Sequence, residues 1–174
     1  DCLLLHWGPD RAPRLALIDG GRLLQVAPPR TLMLRPAGRR VAELVRSVNV
    51  FEGIVVDVED GVVTIETTVG VVRMPLSASV GEKVDVVVRP EHVELAGGEP
   101  LRIENGVAGT IAEIVPYGEV SSVIIRPTDV LVDVTIEAFV ANDLIATGDL
   151  SVGSRCVVSL PARALHAMPT PPSL

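Results

Sequence analysis

The stretch that decides the fold is "VGEKVDVVVRPEHVEL", residues 80–95. Gly81 offers a tight turn. "KVDVVV" reads as a strand, because β-branched side chains fit a pleated surface. Arg89, Pro90, Glu91 and His92 then crowd the strand's end. The same layout returns in "VGSRCVVSLPARALHA", residues 152–167, where Gly153 falls on Gly81 and "CVVSL" on the valine strand. The charged cluster does not return: Pro161, Ala162, Arg163 and Ala164 take its place. A strand end that one copy builds without charges does not need them to fold. Two readings of the cluster follow. In one, Arg89 and Glu91 pair, Pro90 ends the strand and His92 caps a turn; in the other, the group meets a ligand or an adjoining domain.

A second pair of blocks keeps the same order. "NVFEGIVVDV" (49–58) lies over "NGVAGTIAEI" (105–114), with Asn49 on Asn105 and Gly53 on Gly109. The chain therefore holds two copies of one small β unit, at 49–95 and 105–167. Short strands with one helix inserted late in the second copy suit small barrels of the OB type. Neither copy is large enough for an ample core of its own, so the two are expected to share one.

Composition agrees and excludes. The 174 residues are 48% hydrophobic and 2% aromatic, so Val, Leu, Ile and Ala must build the core. A formal charge of −7 opposes nucleic-acid binding, which needs cations to displace counterions, and the scarcity of aromatics opposes base stacking by an oligonucleotide-binding OB protein. No apolar run reaches the ~20 residues of a membrane span, so no direct membrane insertion is expected. The opening "DCLLLHWGPDR" does not read as a secretory signal, and a start at Asp1 without methionine fits a fragment or a processed chain. Cys2 and Cys156 read as reduced thiols of a cytosolic protein.

Upstream of the repeats, "CLLLH" reads as a buried strand and "RLALIDGGRLLQV" as a hairpin around Asp19-Gly20-Gly21. "PPRTLMLRP" reads as a short helix bounded by proline. "GRRVAELVRSV" reads as a second helix, with Val41, Leu44, Val45 and Val48 on one face. Arg30, Arg35, Arg39, Arg40 and Arg46 form a basic run, expected as a solvated helix face, with contact to an acidic partner surface as the alternative. In the second repeat, "DVLVDVTI" (129–136) is expected as a strand and "EAFVANDLIA" (137–146) as the inserted helix. Residues 96–104 are expected as a loop, and the tail at 169–174 as loose.

Two stretches carry a family resemblance. "DGGRLLQVAPPRTLMLRPAGRRVAELVRSVNVFEGIV" resembles the passage from the nucleotide-binding domain of an ABC importer ATPase into its C-terminal regulatory domain. "VDVVVRPEHVEL" resembles the signature strand of that domain, the TOBE (transport-associated OB) domain. The resemblance covers residues 17–168. It implies a remnant or tail of the nucleotide-binding domain at 1–40 and a regulatory domain at 41–168. It also implies homodimerisation beneath an importer, with the nucleotide-binding domain and membrane permease subunits as partners, on the cytoplasmic side of the cell membrane. His6 takes the place of the family's switch histidine, although Trp7 follows where the family prefers Asp. The chain shows neither the G-x-x-x-x-G-K-[ST] loop that cradles phosphates nor an LSGGQ-like signature, so it is not expected to hydrolyse ATP itself. No cofactor is implied.

The later repeat also resembles the molybdate-binding form of the domain, which implies an alternative function as a free-standing small-oxyanion binding protein. The matching stretches read Arg102-Ile103-Glu104-Asn105 and Leu160-Pro161-Ala162-Arg163. Glu104 and Pro161 replace the cations of that form, and a tetrahedral dianion needs donors and positive charge. The earlier repeat keeps Arg89, with Ser47 upstream, and Arg102 and Arg163 are candidates for a rebuilt site.

Other constellations are weaker. Asp57, Glu59, Asp60 and Glu66 surround a turn signal and read as a solvated hairpin rather than a catalytic carboxylate pair. His6, His92 and His166 are too scattered to argue a metal.

Overall fold

The computed structural model describes residues 2–7, 13–96, 103–148 and 150–170, with the backbone alone for 2–7 and 96. The N-terminal unit is a three-stranded antiparallel sheet of β1 (Cys2–Trp7), β2 (Pro13–Asp19) and β3 (Arg22–Ala27). Gly20 and Gly21, at φ +54° and +75°, make the expected turn between β2 and β3. Helix α1 (Pro29–Leu34) opens on a proline whose φ is already helical. Helix α2 (Arg39–Leu44) is shorter than the periodicity suggests. It ends at Leu44, Arg46 turns the chain through φ +56°, and Val48 lies 56% exposed rather than on a buried face.

The first repeat consists of β4 (Asn49–Glu59), β5 (Val62–Thr67), β6 (Gly70–Pro75), β7 (Lys83–Val88), a 3-10 turn (Pro90–His92) and β8 (Glu94–Ala96). The second consists of β9 (Gly106–Tyr117), β10 (Val120–Pro127), β11 (Ile136–Ala141), α3 (Asn142–Thr147), β12 (Arg155–Ser159), a 3-10 turn (Ala162–Ala164) and β13 (His166–Pro169). Each repeat gives its last strand away. One sheet runs β13-β7-β4-β5-β6 and the other β11-β10-β9-β12-β8, all antiparallel. Strand β8 of the first repeat pairs with β12, and β13 of the second pairs with β7, so the two OB-like units are interlocked. The core is continuous across both: Phe51, Val55 and Ile65 belong to one cluster with Ile111, Val123 and Val158.

The aligned residues hold the same places in space. Gly81 donates its N–H to the Val55 carbonyl at 2.8 Å, and Gly153 donates to Ile111 at the same distance, both at φ near +90°. Gly53 and Gly109 are required for a different reason. A Cβ on Gly53 would meet Ile65 Cγ2 at 2.7 Å and Glu66 O at 3.0 Å, and one on Gly109 would meet Ile125 Cγ2 at 2.5 Å and Arg126 O at 2.8 Å. In both repeats the neighbouring strand crosses directly over the glycine, beside a register shift between β4 and β5 and between β9 and β10.

The expected boundaries in residues 129–146 are corrected. The strand is Ile136–Ala141, not 129–136, and the inserted helix is Asn142–Thr147. Ile136, Ala138 and Val140 alternate into the core, a period of two that a helix cannot keep. The apolar Leu131 and Val132 that suggested an earlier strand point to solvent.

Candidate functional site

The strand end at 89–92 is held close to the linker, residues 35–48, which contains α2 and joins the N-terminal unit to the repeats. Arg89 Nε donates to Glu91 Oε1 at 3.0 Å, and Arg89 Nη1 approaches the Val45 carbonyl, at the end of α2, at 3.5 Å. The Arg89 side chain is 18% exposed and that of Glu91 43% exposed, so the pair is half sunk into the surface. Pro90 is buried and opens the 3-10 turn, which packs against β11 of the other repeat. His92 ends this turn, and its Nδ1 is buried with no hydrogen-bond partner among the described residues. Ser47 is 7% exposed, and its Oγ likewise has no partner among the described residues. Because Asn49 pairs with Val88, Ser47 enters the sheet beside the Arg89–Pro90 end of β7. Arg89, Glu91 and Ser47 thus share one corner.

Arg163 belongs elsewhere. It sits on the second 3-10 turn and pairs with Glu94 of β8 at 2.7 Å, with both side chains exposed, so it bridges the repeats. Arg102 and the side chain of His6 lie outside the described residues. Asp57, Glu59, Asp60 and Glu66 are exposed along the β4–β5 hairpin. No group of three or more potential metal ligands occurs among the described residues. Cys156 is a free, buried thiol whose pKa burial pushes up, which leaves it poorly nucleophilic.

The seam between the repeats is built from residues with weak signals in the sequence. Asn49 Nδ2 donates to the Glu137 carbonyl at 2.8 Å, and the Glu137 N–H donates to Asn49 Oδ1 at 2.8 Å. Asn105 does the same to Arg73, with the Arg73 N–H to Oδ1 at 2.7 Å and Nδ2 to the Arg73 carbonyl at 2.9 Å. Glu137 also accepts from the Ser122 hydroxyl through its carboxylate.

The linker is fastened to the first sheet by a residue that sequence reading passed over. Asp85, in the middle of the valine strand, is fully buried. Arg39 of α2 grips it in a fork, Nε to Oδ2 at 3.0 Å and Nη2 to Oδ1 at 2.6 Å, and also reaches Glu52 at 3.0 Å. The Asp85 contact holds the guanidinium pKa above its usual value. Arg40 pairs with Asp19 at 2.7 Å and Glu43 at 3.1 Å. The basic run is therefore not simply a solvated face: these two arginines are committed to ion pairs. The sequence does carry a signal, since an aspartate inside a buried strand calls for a compensating partner, and a nearby arginine run supplies cations.

An open cleft of about 550 Å³ lies between the first sheet and residues 129–132, lined by Glu52, Ile54, Glu66, Lys83, Asp129 and Leu131 among others. Arg89, Glu91, His92, Ser47 and Arg163 do not line it.

These features define a class: two OB-like β units, interlocked by exchanged strands, carrying a short N-terminal unit on one sheet. Within it, residues 86–168 match the TOBE domain family, and this part of the chain is a TOBE domain. The matched segment takes the end of β7 and all of β8 from the first repeat, with the second repeat as far as Met168 in β13.

The relatives are ATP-binding subunits of importers. The chain is 38% identical over 122 residues to the spermidine/putrescine import ATP-binding protein PotA of Rubrobacter xylanophilus, covering 67% of this chain and 31% of the relative. It is 33% identical over 114 residues to the putrescine transport ATP-binding protein PotG of Escherichia coli, covering 63% of this chain and 30% of the relative. The chain thus spans about a third of the length of these relatives. Among solved structures, the cytoplasmic molybdate-binding protein ModG with molybdate bound shares the fold, with a TM-score of 0.62 at 22% identity over 71% of this chain and 96% of that one.

Proposed function

We propose that this chain is the C-terminal regulatory and dimerisation part of an ABC importer's ATP-binding subunit, with polyamines as the cargo. The observation that carries this reading is the 38% identity to PotA over 67% of the chain, from a segment amounting to 31% of that relative. The rest of such a subunit is long enough for an ATPase domain, to which residues 1–40 would belong. The partners are then a second copy of the subunit, its nucleotide-binding domain and, through that domain, membrane permease subunits at the cytoplasmic face. The module works by holding one arrangement of the nucleotide-binding domains more tightly than another, since only such a difference biases their closure. In this reading the Arg89–Glu91 corner is a contact between domains. The test is precipitation from detergent-solubilised membranes of the source cells, with an antibody against residues 49–168. The reading expects co-purified integral membrane proteins and ATP hydrolysis. A precipitate with neither overturns it.

A second reading, a small-oxyanion binding protein, is favoured by one observation. Ser47 Oγ and His92 Nδ1 are buried without partners among the described residues, near the Arg89 end of β7. Glu91 opposes it by neutralising Arg89. Titration of the chain with molybdate and with sulfate tests it: binding that Arg89→Ala abolishes supports this reading, and no heat of binding with either anion removes it.

A further inference from the structure

Helix α2 stands between two cores. Its Val41 packs with Leu17, Ala27 and Leu32 of the N-terminal unit. The next residue, Ala42, is fully buried against Val87 of β7 and Met168 of β13. Around this point three polar links reach from the linker to the same two strands. Arg39 forks Asp85 on β7, His166 of β13 meets the Pro36 carbonyl through Nε2 at 3.0 Å, and Arg89 reaches the Val45 carbonyl. On the other side, Gln25 of β3 holds the same linker, accepting from the Ala37 N–H at 2.8 Å and donating to the Arg35 carbonyl at 3.1 Å.

Strand β13 comes from the second repeat but lies in the first repeat's sheet, with Met168 opposite Asp85 and His166 opposite Val87. The linker is therefore fastened where both repeats meet. A buried carboxylate that loses its cation is costly, so Asp85 tolerates only arrangements in which Arg39 stays seated. The exposed ion pairs of the chain, such as Arg163–Glu94, impose no such demand.

We propose that the Arg39–Asp85 pair, seated beside β13, is the joint that fixes the orientation of the N-terminal unit on the repeats, and that Arg39 and Asp85 are positioning residues in that sense. The planar fork sets an angle as well as a distance, which an ammonium does not. This inference concerns the chain itself and does not rest on the importer reading.

The test measures orientation rather than stability. Spin labels are placed at Arg22→Cys, on the exposed β2–β3 hairpin, and at Ser77→Cys, exposed before β7, in a Cys2→Ser, Cys156→Ala background of the full 174-residue chain. Pulsed-dipolar distances are recorded for Arg39→Lys, which keeps the charge and loses the fork, and for Arg39→Met/Asp85→Leu, which removes both charges. Replacing a buried pair by apolar groups keeps a protein folded in well-studied cases, and circular dichroism checks this here. The proposal expects one narrow distance in the parent and a broadened or shifted distribution in both variants, with the thermal transition retained. A narrow, unshifted distance in a folded variant of either kind overturns it, because packing at Val41 and Ala42 would then suffice to set the orientation. If the double variant does not fold, the Arg39→Lys distance alone decides.

Discussion

Asn49 and Asn105 are matching locks: Asn49 opens β4, Asn105 immediately precedes β9, and each pairs its carboxamide with both backbone groups of one residue in the other repeat, Glu137 and Arg73 respectively. A carboxamide is the one side chain that offers a donor and an acceptor side by side, so it imitates a neighbouring strand. The two repeats are thus joined twice over, by exchanged strands and by these residues.

The locks differ in burial, which sets their worth. Asn49 is 1% exposed, whereas the bonds from Asn105 to Arg73 lie near solvent. Asn49→Ala is expected to cost about 2–3 kcal/mol, because the Glu137 backbone groups are left without water, and Asn105→Gly, which tolerates the φ of +48° held there and loses the bonds to Arg73 and to the Leu160 carbonyl, about 1–2 kcal/mol. Urea unfolding of both variants checks the order, and a larger loss for Asn105→Gly contradicts it.

Gly53→Ala and Gly109→Ala are expected to destabilise by about 1–3 kcal/mol through crowding, with Gly109→Ala the worse of the two. Its added Cβ would lie 2.8 Å from the Arg126 carbonyl oxygen, against 3.0 Å from that of Glu66 at Gly53, and backbone yields less readily than a side chain. Thermal melts of the two variants provide the comparison.

Ion pairs should separate by burial. Arg39→Met leaves the fully buried Asp85 carboxylate without its cation and is expected to cost about 3 kcal/mol or more. Arg163→Ala breaks an exposed pair and should change stability by less than about 1 kcal/mol. Equal losses in denaturant midpoints would contradict this assignment.

Stability should fall on mild acidification because of His166. Burial pushes its pKa below the ordinary value; the Pro36 hydrogen bond opposes that shift, and the charge of Arg35 adds to it. The folded chain therefore holds this imidazole neutral, while the unfolded chain takes a proton near pH 6.5. The contribution is present above that pH and is lost as pH falls towards the depressed folded value. Urea midpoints measured from pH 7.5 to pH 5 should decline more steeply for the parent than for His166→Gln. Parallel pH profiles would show that His166 is not the source.

Much of this architecture was readable because the repeat is written in residues with strict backbone duties. Gly81 and Gly153 must take a positive φ, Gly53 and Gly109 must let a strand pass, and Asn49 and Asn105 must bond across the seam. The exchange of β8 and β13 was not readable, since a strand's own sequence does not say which edge it joins. The strand at Ile136–Ala141 is not legible in the sequence because Phe139, Leu144 and their neighbours fit either period, and only the alternation of Ile136, Ala138 and Val140 into the core separates the two. At the strand end, the Arg89–Glu91 pair followed from sequence proximity. The Arg39–Asp85 pair did not, because 46 positions separate its partners.

The importer reading is tested most directly by the intact mass of the native protein, captured from its source cells with an antibody against residues 49–168. The account predicts a single polypeptide well above 18.4 kDa, at twice this chain's mass or more, with an ATPase domain preceding these residues. A native polypeptide of 18.4 kDa would contradict it and leave a free-standing binding module in its place.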